Sequence, residues 1–279
     1  MIEMEKRTNE GMEDKDEGGC MRAKNACLAL CMALSAWCVA APSDAARNHS
    51  SEMNAGPAAR ADQRADGGVK VLFLGNSITL HQPCPPIGWT NNWGMAASAP
   101  ERDYVHIVTR GIERQTGRKA DVRVRSLYRF EKGFATWNGA DEMASDIAFA
   151  PDYLIVAIGE NVDELPAGQP RLEFEAAFTR MLGCYFASGR HPRTVVRGVF
   201  WPNAWKDHAM AQAAKAYGVP FVATGDLGCD DTMRALGNFW HQGVQAHPGD
   251  LGMAKTAERI LGALFPREKA VSQNKKEQQ

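Results

Sequence analysis

Short β-rich runs in this chain alternate with longer stretches in which apolar residues recur every three or four positions. The runs at 69–74, 121–127, 153–158, 194–200 and 220–223 have strand length and β-rich composition. Tyr153-Leu154-Ile155-Val156-Ala157-Ile158 has no polar alternation, as expected of a central strand buried on both faces. Between the runs, 93–115, 140–149, 172–188, 204–217 and 248–264 carry Ala, Leu, Met and Phe at helical spacing, with Pro or Gly at several boundaries. Strands alternating with helices predict an α/β fold: a three-layer α/β/α sandwich around a five-stranded parallel sheet. Ligands bind such a sheet at the carboxyl ends of its strands. Gly75-Asn76-Ser77 and Gly159-Glu160-Asn161 each follow a strand directly, so both loops should open on that edge.

The ends of the chain read differently. Met21-Arg22-Ala23-Lys24-Asn25 is a basic segment, 26–41 is apolar, and small residues follow around Ala40 and Ala45, the pattern of a secretory signal peptide. The apolar run is short against the ~20 residues of a membrane span. Export to the periplasm or medium is therefore expected, with no stable membrane span after cleavage. Leu30 and Trp37 precede Cys31 and Cys38 where a lipoprotein signal would have small residues. The expected organisation is an N-terminal extension and signal peptide at 1–45, a flexible linker at 46–68 rich in Ala, Ser, Asn, Asp and Arg, a globular domain at 69–266, and a polar tail at 267–279. Cleavage would leave Cys84, Cys184 and Cys229. These permit at most one intramolecular disulfide, or three unpaired thiols.

The formal net charge is -1, from 32 Lys and Arg against 33 Asp and Glu, and the basic residues are scattered. That removes the footprint of a nucleic-acid binder. No Walker-type loop, dinucleotide fingerprint or spaced His/Cys ligand set is present, so neither cofactor nor metal is expected.

The candidate chemistry is nucleophilic. Ser77 stands on a strand-to-helix turn, and an ordinary hydroxyl needs a base within hydrogen-bond reach to attack an ester. His247, in Ala246-His247-Pro248-Gly249, is that base. Asn161 offers a side-chain amide to a developing oxyanion, and a glycine offers an unshielded backbone N–H. Each residue also has a plainer use: Ser77 could satisfy its own turn, His247 could be an exposed loop histidine, and Asn161 could brace its loop.

Gly75-Asn76-Ser77-Ile78-Thr79, Gly159-Glu160-Asn161 and His247-Pro248 resemble, in order, three of the four sequence blocks of the SGNH (GDSL-like) hydrolase superfamily. The resemblance implies a flavodoxin-like SGNH hydrolase fold, a catalytic Ser77 and His247, and an oxyanion hole built from Ser77, Asn161 and a glycine after the second strand. By position that glycine is Gly133, with Gly139 as the fallback. The chain departs from the pattern at Val244, where the family has an aspartate three residues before the histidine. Either a backbone carbonyl in Gly243-Val244 holds the imidazole, giving a Ser-His dyad, or a carboxylate reaches in from Asp226, Asp230 or Asp231. Asp250 suits the first turn of a helix better.

The long segment after the nucleophile holds His81, Cys84, three prolines, Trp89 and Trp93. It could form an aromatic wall against a sugar ring or acyl group, or simply pack onto the sheet edge. Trp201, Trp205, Trp240 and His241 fall near the same edge. Asn76, Trp89, Trp93 and Glu160 are thus substrate-binding candidates, although Glu160 and Asp163 also read as loop solvation or hydrogen-bond braces. The expected activity is an exported, metal-independent serine esterase acting on a small acyl ester, such as an O-acetyl group on a saccharide. An acyltransferase on the same site and a degenerate glycan-binding domain are the rival readings.

Overall fold

The computed structural model describes residues 67–266, Ser188 excepted. The expected signal peptide, nearly all of the expected linker, and the tail lie outside the described residues. The strands are β1 (Val69–Gly75), β2 (Ala120–Ser126), β3 (Tyr153–Val156), β4 (Arg193–Arg197) and β5 (Phe221–Val222). They form one five-stranded sheet in the order β2-β1-β3-β4-β5, every pairing parallel. The α-helices are α1 (Tyr104–Thr116), α2 (Tyr128–Gly133), α3 (Gly139–Glu142), α4 (Ala144–Phe149), α5 (Gln169–Phe186), α6 (Ala204–Ala216), α7 (Gly225–Cys229), α8 (Gln242–Gln245) and α9 (Asp250–Leu264). This is the α/β fold expected from the sequence.

Alternation along the strands divides the core in two. Leu72, Leu74, Leu154, Val156 and Val196 point to the face covered by α5 and α6, where Phe174, Phe178 and Met210 fill the layer. Val71, Phe73, Ile155 and Val195 point to the face covered by α1 and α9, against Val108, Ile112, Met253 and Ile260. Both faces of β3 are covered, which is why its sequence lacks polar alternation. Gly111 of α1 lies so close to α9 that a Cβ there would stand 2.5 Å from Leu261 Cδ1.

Boundaries moved where side chains intercept the backbone. The helical pattern at 93–103 is not helix: Ala96 has a positive φ of 74°, and Pro100 opens a 3-10 turn. Helix α1 starts only where the Asp103 side chain accepts the N–H of His106. Strand β4 stops at Arg197, not at 200, because past Gly198, whose N–H still reaches Val222 O, the N–H groups leave the sheet. Val199 donates to Asp207 Oδ1 and Phe200 to Glu160 Oε1. The short helices α2, α7 and α8 carry too few residues for a period to emerge. Cys84 and Cys229 are disulfide-bonded and Cys184 is a free thiol. Among the described residues, no helix is long and apolar enough to cross a membrane.

Candidate active site

The order β2-β1-β3 places the reversal of strand order between β1 and β3, the position at which open α/β sheets open a crevice at their carboxyl ends. The loops after these two strands carry Ser77 and Asn161. Beyond Gly75 the chain turns at once: Thr79 and Leu80 both donate their N–H to Asn76 O, and Ile78 N–H donates to Asn76 Oδ1. A Cβ on Gly75 would fall 1.8 Å from Thr79 Oγ1, so glycine is what permits a turn this tight. Met95 N–H donates to the Ser77 carbonyl and fixes the turn from outside.

His247 arrives from the other end of the chain. Helix α8 is capped by His241 and ends just before it, and the backbone on either side is held by Ala235 N–H to His247 O and Gly249 N–H to Met233 O. The two loops meet around Cys84, Ile87, Trp89, Ala235 and Val244, a small apolar cluster that docks segment 80–96 onto segment 235–247. Ser77 Oγ lies 2.9 Å from His247 Nε2. The opposite ring nitrogen, Nδ1, lies 2.7 Å from the carbonyl oxygen of Gly243. A carbonyl only accepts, so Nδ1 carries the proton and Nε2 presents its lone pair to the serine.

The three carboxylates that could have stood in for the missing aspartate are engaged elsewhere. Asp226 pairs with Arg259, Asp230 accepts from Thr232, and Asp231 pairs with Arg234. Asp250 opens α9 and holds Ser98 and Arg102 at the surface. Burial lowers the His247 pKa to about 4; the Gly243 carbonyl opposes this, His81 and His241 add to it, and Glu160 pulls upward.

Behind the serine turn lies a buried polar network, in which Glu160 is the hydrogen-bond brace the sequence offered and Glu131 and Arg197 are the members that sequence reading missed. Asn76 Nδ2 donates to Glu131 Oε1 at 3.1 Å and to Glu160 Oε2 at 2.6 Å. Glu160 is in turn paired with the buried Arg197, its Oε1 2.7 Å from Nη2. Burial pushes the Glu160 carboxyl up, but Arg197, the Phe200 N–H and Asn76 outweigh it and leave it below its ordinary value. Glu131 also accepts Gly159 N–H at 2.7 Å, Asn161 N–H at 3.2 Å and Asn161 Nδ2 at 2.7 Å. Burial and the nearby Glu160 push its carboxyl above the usual range. The sequence signal was the acid itself, lodged beside Phe130 in a helix whose apolar face is buried.

Asn161 is half-buried, and one hydrogen of its amide is committed to Glu131. Among the described residues the Ser77 N–H has no acceptor. Gly133 is the last residue of α2, where the N–H belongs to the helical ladder; a Cβ there would meet nothing. Gly139 is the first residue of α3, against Trp137 and Cys184.

The substrate-binding candidates need correction. Trp89 is wholly buried, donates its Nε1–H to His81 O and packs edge-on to Trp93, so it forms the inside of the wall and no ligand reaches it. Trp93 is half-buried and donates to Ala97 O. Asn76 and Glu160 are buried braces that a substrate cannot touch. Asp163 pairs with Lys132. Trp205 of α6 packs on Phe174 of α5. Trp201 stands edge-on to the His247 ring at 5.2 Å, and Trp240, 69% exposed, leans on Gly88 and His241.

No family model matches the chain, and no curated protein does. Solved structures with a similar fold include a family two carbohydrate esterase from Clostridium thermocellum in complex with cellohexaose, 13% identical with a TM-score of 0.43. That match covers 70% of this chain and 62% of the esterase. A candidate GDSL-like lipase from Bacteroides ovatus is 10% identical, with a TM-score of 0.43 over 69% of this chain and 96% of its own. A Corynascus family 2 carbohydrate esterase with a carbohydrate binding domain is 15% identical, with a TM-score of 0.41 over 76% and 68% of the two chains.

Proposed function

We propose that this protein is a serine esterase of the SGNH type that hydrolyses small acyl esters through a Ser77–His247 dyad. The observation that carries this reading is the continuous chain Ser77 Oγ, His247 Nε2, His247 Nδ1, Gly243 O, with contacts of 2.9 and 2.7 Å. His247 Nε2 takes the proton as Ser77 Oγ attacks the ester carbonyl, and the alcohol leaves with that proton. Water then enters, His247 takes one of its protons, and the acyl-serine is cleaved to acid and free Ser77. The Gly243 carbonyl does the orienting that an aspartate would otherwise do. It fixes the tautomer without contributing a full negative charge to the imidazolium, so the dyad should be slower than a triad yet competent.

The oxyanion would be met by the unpaired Ser77 N–H and the second amide hydrogen of Asn161, each such donor typically contributing ~3 kcal/mol. Gly133, the third candidate by position, has its N–H in the helical ladder and is not counted among these donors. The acyl group would lie beside Trp201, whose ring stands edge-on to His247 at 5.2 Å. The exposed Trp240 ring offers a saccharide an apolar face at the rim, so an O-acetylated saccharide is the favoured substrate. We further propose that the protein works after export, on the strength of the basic and apolar pattern at 21–41.

The test is turnover of chromogenic acetyl, butyryl and octanoyl esters by the wild-type protein and its Ser77→Ala variant. Acetyl ester turnover should fall at least ~1,000-fold in Ser77→Ala, and in the wild type should decline with chain length. Equal rates in the two proteins would overturn the esterase assignment.

A further inference from the structure

We infer that Glu131 is a positioning residue of this site, the acceptor that aims the oxyanion-binding amide of Asn161 and locks it to the nucleophile turn. This rests on the esterase reading of Ser77 and His247. Neither the motifs nor the dyad calls for an acid here, yet Glu131 lies fully inside, among Phe130, Gly159 and the two asparagines.

Four N–H groups converge on its two oxygens. Oε1 accepts Asn76 Nδ2, Gly159 N and Asn161 N, while Oε2 accepts Asn161 Nδ2 alone. All are donors, which suits an acceptor with lone pairs on both atoms and offers no partner to a proton placed on either. The arrangement joins three loops at one point: Asn76 precedes the nucleophile, Gly159 and Asn161 follow β3, and Glu131 itself lies on α2 after β2. Gly159 sits at a φ of +120°, which glycine adopts without a Cβ penalty, and its N–H turns to Glu131.

The consequence for Asn161 is directional. An asparagine amide can flip by half a turn and present oxygen where nitrogen was. With Oε2 of Glu131 accepting one amide hydrogen at 2.7 Å, the nitrogen is held on the Glu131 side and its second hydrogen is aimed in a fixed direction. A hole built this way is organised before substrate arrives, the condition for a donor to favour the transition state over the ground state. Asn76 receives the same treatment from two sides, since Glu160 holds its other amide hydrogen.

Glu131→Gln is the discriminating substitution. Its oxygen can serve the three donors at Oε1, but its amide nitrogen then faces Asn161 Nδ2, donor against donor. The Asn161 amide must flip or withdraw. On an acetyl ester, kcat should fall about 10- to 100-fold with KM within about 2-fold of wild type, because a mis-aimed hole is felt only in the transition state. Asn161→Ala should give a loss of similar size, and the double variant Glu131→Gln/Asn161→Ala should be little worse than Asn161→Ala alone. The acid limb of the pH profile, set by His247, should not move.

Unchanged kcat in Glu131→Gln, or losses that multiply in the double variant, would overturn the inference while leaving a Ser77-dependent esterase intact. Failure of both Glu131→Gln and Glu131→Asp to fold would also overturn it, making the acid a folding requirement. Loss of Ser77 dependence in the parent enzyme would remove the esterase reading itself, a separate and distinguishable result.

Discussion

Burial keeps His247 an imidazole. With its pKa lowered to about 4 by desolvation, the ring is neutral and able to accept the serine proton across nearly the whole acid range. His81 and His241 push the same way, and Glu160 is the only carboxylate among its main influences to oppose them. The expected profile of kcat/KM is level from neutral pH to about 5, falling as pH drops through about 4; a limb near 6.5 would contradict it. Stability follows the same sign. The unfolded chain protonates this histidine near 6.5 while the fold refuses the proton, so the contribution is complete above 6.5 and lost as pH falls toward 4. Ser77 and His247 were legible in the sequence because short motifs carry them. The Gly243 carbonyl was open to view only as one option, since every residue has such an oxygen and only the fold selects which one faces a ring nitrogen. Trp89 was misread because a tryptophan in a Pro-rich loop looks like a rim residue until the loop is seen packed upon itself.

At the scale of elements, the strand-to-turn junction decides where Ser77 stands. A methyl group on Gly75 would meet Thr79 Oγ1 at 1.8 Å, and Thr79 cannot simply retreat because it is buried and bonded to Tyr104 at 2.7 Å. Gly75→Ala should therefore shift the Ser77 turn. The expected result is a loss of about 1–3 kcal/mol in stability by urea unfolding, together with a fall in kcat larger than the folded fraction explains. Wild-type kcat in that variant would contradict the account. All five strands were legible because each is a short β-rich run, β2 by its Val-Arg alternation, in a chain whose helices are periodic. The ends of β4 and of the helical pattern at 93–103 were not, because Asp207, Glu160 and Asp103 redirect backbone N–H groups from far away in sequence or against the local period.

On the scale of the whole molecule, the parallel topology is what brings Ser77 to His247, 170 positions apart. Each right-handed crossover returns the chain to the same edge of the sheet, so loops after β1 and β3 face one crevice, and the last connection before α9 delivers His247 across it. The buried network of Asn76, Glu131, Glu160 and Arg197 ties three of those loops behind the site; the sequence offered Glu160 as a hydrogen-bond brace but not its partners Glu131 and Arg197, since an isolated charge looks the same whether solvated or buried. The central claim is that Ser77 is a nucleophile activated by His247. The most direct measurement is the intact mass of the protein after exposure to a fluorophosphonate, which phosphonylates an activated serine with loss of fluoride. One adduct, mapped to Ser77, absent in Ser77→Ala and formed far more slowly in His247→Ala, is the predicted result; no adduct, or equal labelling of the wild type and Ser77→Ala, would contradict it.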